Sequence, residues 1–261
     1  MTHDSHVVRS GSGAPIVLIH GVGLDLGMWD ELVHTLADRF ELIRYDMLGH
    51  GATPLRVPDP DLDTYVGQLH RVLQEQGLLR PYIVGYSMGG LVAGRFAALY
   101  PGSLEKLVLM STISRRNASE RQAVLDRLEI ATGEENGASA QVSIERWFTP
   151  SFIRSHGDRI AAIRQQLLSN RKDDFLAAYR IFAHADEALM NAAPRIKCPT
   201  LIMTGEHDPG STPAMANALS EAIGGSTMTV IPEQKHMLPV EGASQVAAIL
   251  TLFFEQDHRT N

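Results

Sequence analysis

Tyr82-Ile83-Val84-Gly85-Tyr86-Ser87-Met88-Gly89-Gly90-Leu91-Val92-Ala93-Gly94-Arg95-Phe96 is the stretch that decides the fold. Tyr82 to Tyr86 reads as a buried strand, and Gly89 to Tyr100 reads as a helix stopped by Pro101-Gly102. The G-x-S-x-G pattern between them puts Ser87 on a tight turn, where bulk at either flank would collide with neighbouring backbone. Such a turn lifts the Ser87 hydroxyl to the N-terminus of the following helix. Free N–H groups and the helix dipole favour developing negative charge there. A glycine-rich turn with an incidental serine is the alternative reading. The position between an apolar strand and a helix favours a nucleophile.

Outward from this unit, strands and helices keep alternating. Ile16–His20, Leu42–Asp46 and Leu107–Met110 read as strands, with helices at Trp29–Ala37 and at Leu62–Gln76, which Gly77 ends. Short connections between them predict an α/β fold with a mostly parallel central sheet flanked by helices. From about Ile113 to Pro194 the composition is helical, with helices expected at Arg121–Ile130, Ser143–Phe148, Arg159–Leu168 and Asp174–Ala183. Strand character returns at Thr200–Thr204 and Met228–Ile231, accompanied by helices at Pro213–Ile223 and Ala243–Glu255. The expected layout is a core of residues 1–112 and 195–261, interrupted by a helical cap (lid) insertion of residues 113–194 over one end of the sheet.

Composition narrows the function. Apolar residues are 44% of the 261, enough for a sizeable core, and the net charge of −7 without a basic tract excludes nucleic acid as a partner. The one cysteine, Cys198, precludes an internal disulfide and reads as a packed thiol at a strand edge. Met1 to His6 has no signal-peptide character, and no apolar run reaches the ~18–20 residues that span a bilayer. The expectation is a soluble, cytoplasmic protein without a membrane partner. Oligomeric state leaves no mark on the sequence.

A serine hydroxyl needs a base, and on this kind of sheet the acid and then the histidine follow the serine in loops after later strands. Thr204-Gly205-Glu206-His207-Asp208-Pro209 and Glu233-Gln234-Lys235-His236-Met237 fill those places. Asp208 is the expected acid, with Glu206 and His207 as competitors, and His236 is the expected base. The oxyanion donors are expected to be the backbone N–H groups of Met88 and of Val22, in His20-Gly21-Val22-Gly23. His20 reads as shaping its own loop, and Asp46-Met47-Leu48-Gly49-His50-Gly51 as bracing it. His3 and His6 lie in a tail, no cluster has metal-ligand spacing, and the chemistry requires no metal or cofactor.

In order along the chain, His20-Gly21-Val22-Gly23 with Trp29, the Asp46 loop, the Ser87 turn, Gly205-Glu206-His207-Asp208 and His236 resemble the α/β-hydrolase superfamily. The resemblance covers nearly the whole chain except the cap. Ser87 where some members carry Asp argues against dehalogenases and epoxide hydrolases, and Met237 argues against carbon–carbon bond hydrolases. Glu145-Arg146-Trp147-Phe148-Thr149-Pro150-Ser151-Phe152, and Asp208 followed by Thr212-Pro213, look most like small bacterial esterases and 3-oxoadipate enol-lactonases. The resemblance implies a serine hydrolase acting on a small-molecule ester or lactone. Thioesterase and perhydrolase chemistry use the same residues, and a ligand-binding or signalling protein on the same scaffold is the rival from another class. An acidic lactone would need a cationic partner, for which Arg146, Arg154 and Arg180 are candidates, each readable instead as a surface residue. Trp147, Phe148 and Phe152 are the expected substrate-binding residues, with Phe175 and Phe182 as further aromatic candidates.

Overall fold

One sheet of seven strands runs through the chain in the order β1-β3-β2-β4-β5-β6-β7. The computed structural model describes residues 5–133 and 137–256. The strands are β1 (Val7–Gly11), β2 (Ala14–Ile19), β3 (Phe40–Tyr45), β4 (Tyr82–Tyr86), β5 (Lys106–Met110), β6 (Thr200–Gly205) and β7 (Thr227–Ile231). All neighbours pair in parallel except β1, which runs antiparallel along β3 with Val7 opposite Tyr45. β1 is absent from the sequence reading because Arg9 and Ser10 interrupt its apolar run, as suits a half-solvated edge strand.

Strand periodicity sorts the interior into two layers. Val17, Ile19, Ile83, Leu107, Leu109 and Ile202 point to one face, where they meet α2 (Leu62–Glu75), α3 (Met88–Leu99) and, beyond β6, α10 (Pro213–Ala222). Ile16, Leu18, Val84, Val108, Met110 and Leu201 point to the other, against α1 (Asp30–Leu36) and α12 (Ala243–Glu255). Residues buried on both faces explain why these strands read as continuous apolar runs. Asp61 starts α2 with a reciprocal capping box, its carboxylate accepting the Thr64 N–H at 2.8 Å.

Between β5 and β6 every regular element among the described residues is helical. These are α4 (Ala118–Gly133), α5 (Gly137–Trp147), α6 (Pro150–Ser155), α7 (Gly157–Ser169), α8 (Lys172–His184), α9 (Ala188–Ala192) and a short 3-10 turn. α4 packs against α8, and α5 against α7. A last short helix, α11 (Leu238–Glu241), follows β7. Among the described residues no helix is long and apolar enough to cross a membrane.

Lys106 shows how the sheet fixes the C-terminal helix. Its buried ammonium donates to the carbonyls of Phe253, Phe254 and Gln256 at 3.0, 2.9 and 2.6 Å, satisfying orphan acceptors at the end of α12. Lys106→Met strands these acceptors. The expected loss is about 2 kcal/mol of unfolding free energy, read from the shift of the urea midpoint at constant slope.

Candidate active site

Strand order reverses at β2, whose neighbours β3 and β4 lead the chain to opposite sides. Open sheets leave a crevice at the carboxyl ends of the strands there. Ser87 closes β4 in that crevice with φ +53° and ψ −116°, a left-handed backbone held by its surroundings. Its N–H donates to Met110 at 2.9 Å, and its carbonyl accepts from the Thr112 hydroxyl at 2.8 Å. The first turn of α3 abuts β2 so closely that a Cβ on Gly89 would lie 2.3 Å from the Ile19 carbonyl oxygen. On the other side, a Cβ on Gly21 would stand 3.2 Å from that of Ser87, so the β2 loop lies against the serine. Among the described residues, neither the Val22 nor the Met88 N–H donates a hydrogen bond to the protein.

Asp208 and His236 meet below this turn. His236 Nδ1 is 2.6 Å from Asp208 Oδ2, and both side chains are buried. Asp208 Oδ1 accepts the Gly210 and Ser211 N–H groups at 2.9 Å each, so the carboxylate is fully engaged. An ionised carboxylate only accepts, so the proton between the pair sits on Nδ1 and leaves Nε2 as the basic nitrogen. Glu206 and His207, the competitors, are exposed. His236 and Ser87 line the same cavity. No hydrogen bond joins them among the described residues, the loose geometry common before substrate binds.

The His236 loop is stitched to the helical segment. The Met237 N–H donates to the Trp147 carbonyl at 3.0 Å, Lys235 Nζ to the Glu145 carbonyl at 2.8 Å, and the Thr149 N–H to Glu241 at 3.0 Å. The His236 ring lies between those of Tyr86 and Trp147, with centroids 5.1 and 6.2 Å away. Tyr86 in turn donates its hydroxyl to the Met237 sulfur at 3.1 Å.

Behind the Gly21-Val22 loop stands a buried polar brace. The Met47 N–H donates to His20 Nε2 at 2.8 Å, which forces the His20 proton onto Nδ1, 2.7 Å from the Gly21 carbonyl. Asp46 accepts from the Leu26 and Ala52 N–H groups and lies 2.8 Å from His6 Nδ1, so His6 belongs to the fold rather than to a tail. His3 lies outside the described residues. Gln68 spans the loop, accepting from the Leu48 N–H and donating to the Asp46 carbonyl, both at 2.9 Å.

The cavity, about 110 Å³, is roofed by Trp147, Phe175, Tyr179 and Phe182. Phe148 and Phe152 do not line it, which corrects the reading of them as substrate-binding residues. Phe148 is fully buried in the apolar layer that holds Trp29 and Met237, and Phe152 stacks on it and on His156. Arg154 and Arg180 are exposed, whereas Arg146 lines the cavity together with Arg116 and Arg127. Arg127 was not legible as a site residue because α4 shows no apolar stripe from which its inward face could be read.

His20 and His50 give the brace a pH dependence. Burial lowers the pKa of His20 and, with the neighbouring His20 ring, pushes His50 down to about 3. Below the ordinary histidine pKa of about 6.5 the unfolded chain takes up protons that these folded rings refuse. For His50 stability is therefore lost as pH falls from about 6.5 towards 3, at roughly 1.4 kcal/mol per pH unit, and His20 adds a loss of the same sign. His50→Asn should flatten that slope by one histidine's share in urea titrations between pH 6.5 and 4.5.

The chain matches the model of the family described as serine aminopeptidase, S33, over residues 12–243. The (E)-2-((N-methylformamido)methylene)succinate hydrolase of Acinetobacter baylyi is 27% identical over 253 residues, covering 96% of this chain and 94% of its own. The crystal structure of the enol-lactonase from Burkholderia xenovorans LB400 superposes with a TM-score of 0.89 at 27% identity, covering 97% of this chain and 96% of that one. A thermophilic esterase from Thermogutta terrifontis, with malate bound, gives 0.86 at 28% identity and covers 96% and 92%.

Proposed function

The chain belongs to the serine aminopeptidase S33 family and has the α/β-hydrolase fold, and from that premise we propose that it hydrolyses a small carboxylic ester or lactone through an acyl-enzyme on Ser87. The observation that carries this reading is the buried Asp208–His236 bond, which leaves Nε2 basic in the cavity that Ser87 lines. His236 takes the Ser87 proton as the oxygen attacks the carbonyl carbon. The Val22 and Met88 N–H groups receive the oxyanion, and one such donor is worth about 2.7–4 kcal/mol in the transition state. The imidazolium then protonates the leaving oxygen as the ester bond breaks. Water, deprotonated by His236, releases the acid and restores Ser87.

The family's name raises aminopeptidase chemistry, which the electrostatics disfavour. Binding a free α-ammonium needs a carboxylate in the cavity, and among the described lining residues there is none. Ester or lactone cleavage is also what the names of the enol-lactonase and esterase neighbours describe for those proteins. Enol-lactonase-type hydrolysis is the narrower form of the same reading. Residues 113–194 act as the cap, with Trp147, Phe175 and Phe182 shaping the acyl end of the site.

A panel of short-chain p-nitrophenyl esters and small lactones tests this. Turnover abolished by Ser87→Ala, with a fluorophosphonate labelling the wild type on Ser87 alone, is the expected result. Asp208→Asn should keep the fold and lower kcat by about 10⁴-fold, because the amide holds the wrong histidine tautomer. Turnover that survives Ser87→Ala overturns the assignment.

A further inference from the structure

Three guanidinium groups, those of Arg116, Arg127 and Arg146, line the cavity among its aromatic residues, Arg116 lying 4.7 Å over the Phe182 ring. Arg116 is neutralised by the buried Asp186 at 2.9 Å, a carboxylate that also holds Arg121 at 2.6 Å. Arg127 reaches a neutral group, the Tyr179 hydroxyl, at 3.4 Å. Arg146 has no hydrogen-bond or ion-pair partner among the described residues. Its guanidinium lies over Gly210, where a Cβ would stand 2.9 Å from Nη2. Asp208 is near enough to attract it, but the Asp208 oxygens are taken by Gly210, Ser211 and His236.

This arrangement carries an electrostatic cost. Burial and the charge of Arg127 both act against the Arg146 cation, yet a guanidinium does not give up its proton. Arg127 and Arg146 therefore repel each other beside a cavity with no carboxylate among its described lining residues, and Asp208 offsets the repulsion only from outside that lining. A planar anion would relieve the repulsion and fill the vacant donors of both forks.

We propose that Arg127 and Arg146 clamp a carboxylate carried by the substrate, so that the enzyme selects half-esters or lactones of dicarboxylic acids over neutral ones. The chemistry rests on the hydrolytic reading above, whereas the binding does not. Arg146 directly precedes Trp147, whose ring packs on His236. An anion held there lies on the base's side of the cavity and presents the scissile carbonyl to Ser87 across a short chain.

The test compares kcat/KM for mono-p-nitrophenyl glutarate with that for p-nitrophenyl pentanoate, which lacks the carboxylate. Wild type should favour the glutarate ester by about 30-fold or more, the scale of a desolvated charge pair. Arg146→Gln should collapse that ratio at least tenfold, and Arg146→Lys should restore part of it. Calorimetric titration with glutarate itself gives a readout independent of turnover, with binding to wild type and loss in Arg146→Gln. Equal use of the two esters by wild type, or a ratio unmoved by Arg146→Gln, overturns the clamp while leaving ester hydrolysis intact. Glutarate binding that depends on Arg146, without turnover of either ester, sustains the clamp and overturns the hydrolytic reading instead.

Discussion

The contact on which the rest of the site depends is backbone against backbone. The first turn of α3 rests on the last carbonyls of β2, a packing that only a residue without a side chain at position 89 allows. That one contact sets the left-handed turn at Ser87 and aims the Met88 N–H. It also brings the Gly21-Val22 loop against the serine. The proposed nucleophile and oxyanion donors thus occupy neighbouring strands at the point where the sheet reverses direction. Their relation is fixed by strand spacing rather than by flexible side chains.

Around this rigid pair the polar groups are arranged so that each proton has one place to be. His20 and His236 each hold the proton on Nδ1, for opposite purposes. In His20 it is tied to a carbonyl and the other nitrogen is used up by a backbone donor, which makes the ring a spacer. In His236 it is tied to a carboxylate and the other nitrogen is left unused, which suits the ring to the base's role proposed for it. The same residue type is inert or reactive according to what its second nitrogen meets.

The parts legible in the sequence were those in which local and long-range demands agree. Residues 82–96 announce strand, turn and helix by composition alone, and Asp208 and His236 sit in loops that the strand pattern had already located. The aromatic lining was harder. Trp147, Phe148 and Phe152 share one stretch, yet only the first reaches the cavity, because the turn from α5 into α6 carries the other two into the core. Phe175 and Phe182 come from a helix whose rotation is set by packing against α4, which no spacing rule encodes. β1 is not legible in the sequence because an edge strand needs only half an apolar pattern.

The stitches between residues 145–149 and 235–241 bear on how such a protein diversifies. A segment that both lines the cavity and grips the His236 loop is not an exchangeable module. Altering α5 or α6 retunes two properties at once, which substrate fits and where the imidazole stands. Among the described residues α4 and α8 make no hydrogen bond to that loop, so they can vary their cavity-facing side chains independently. New specificities in this architecture are most accessible through those two helices, with the Trp147 neighbourhood held constant.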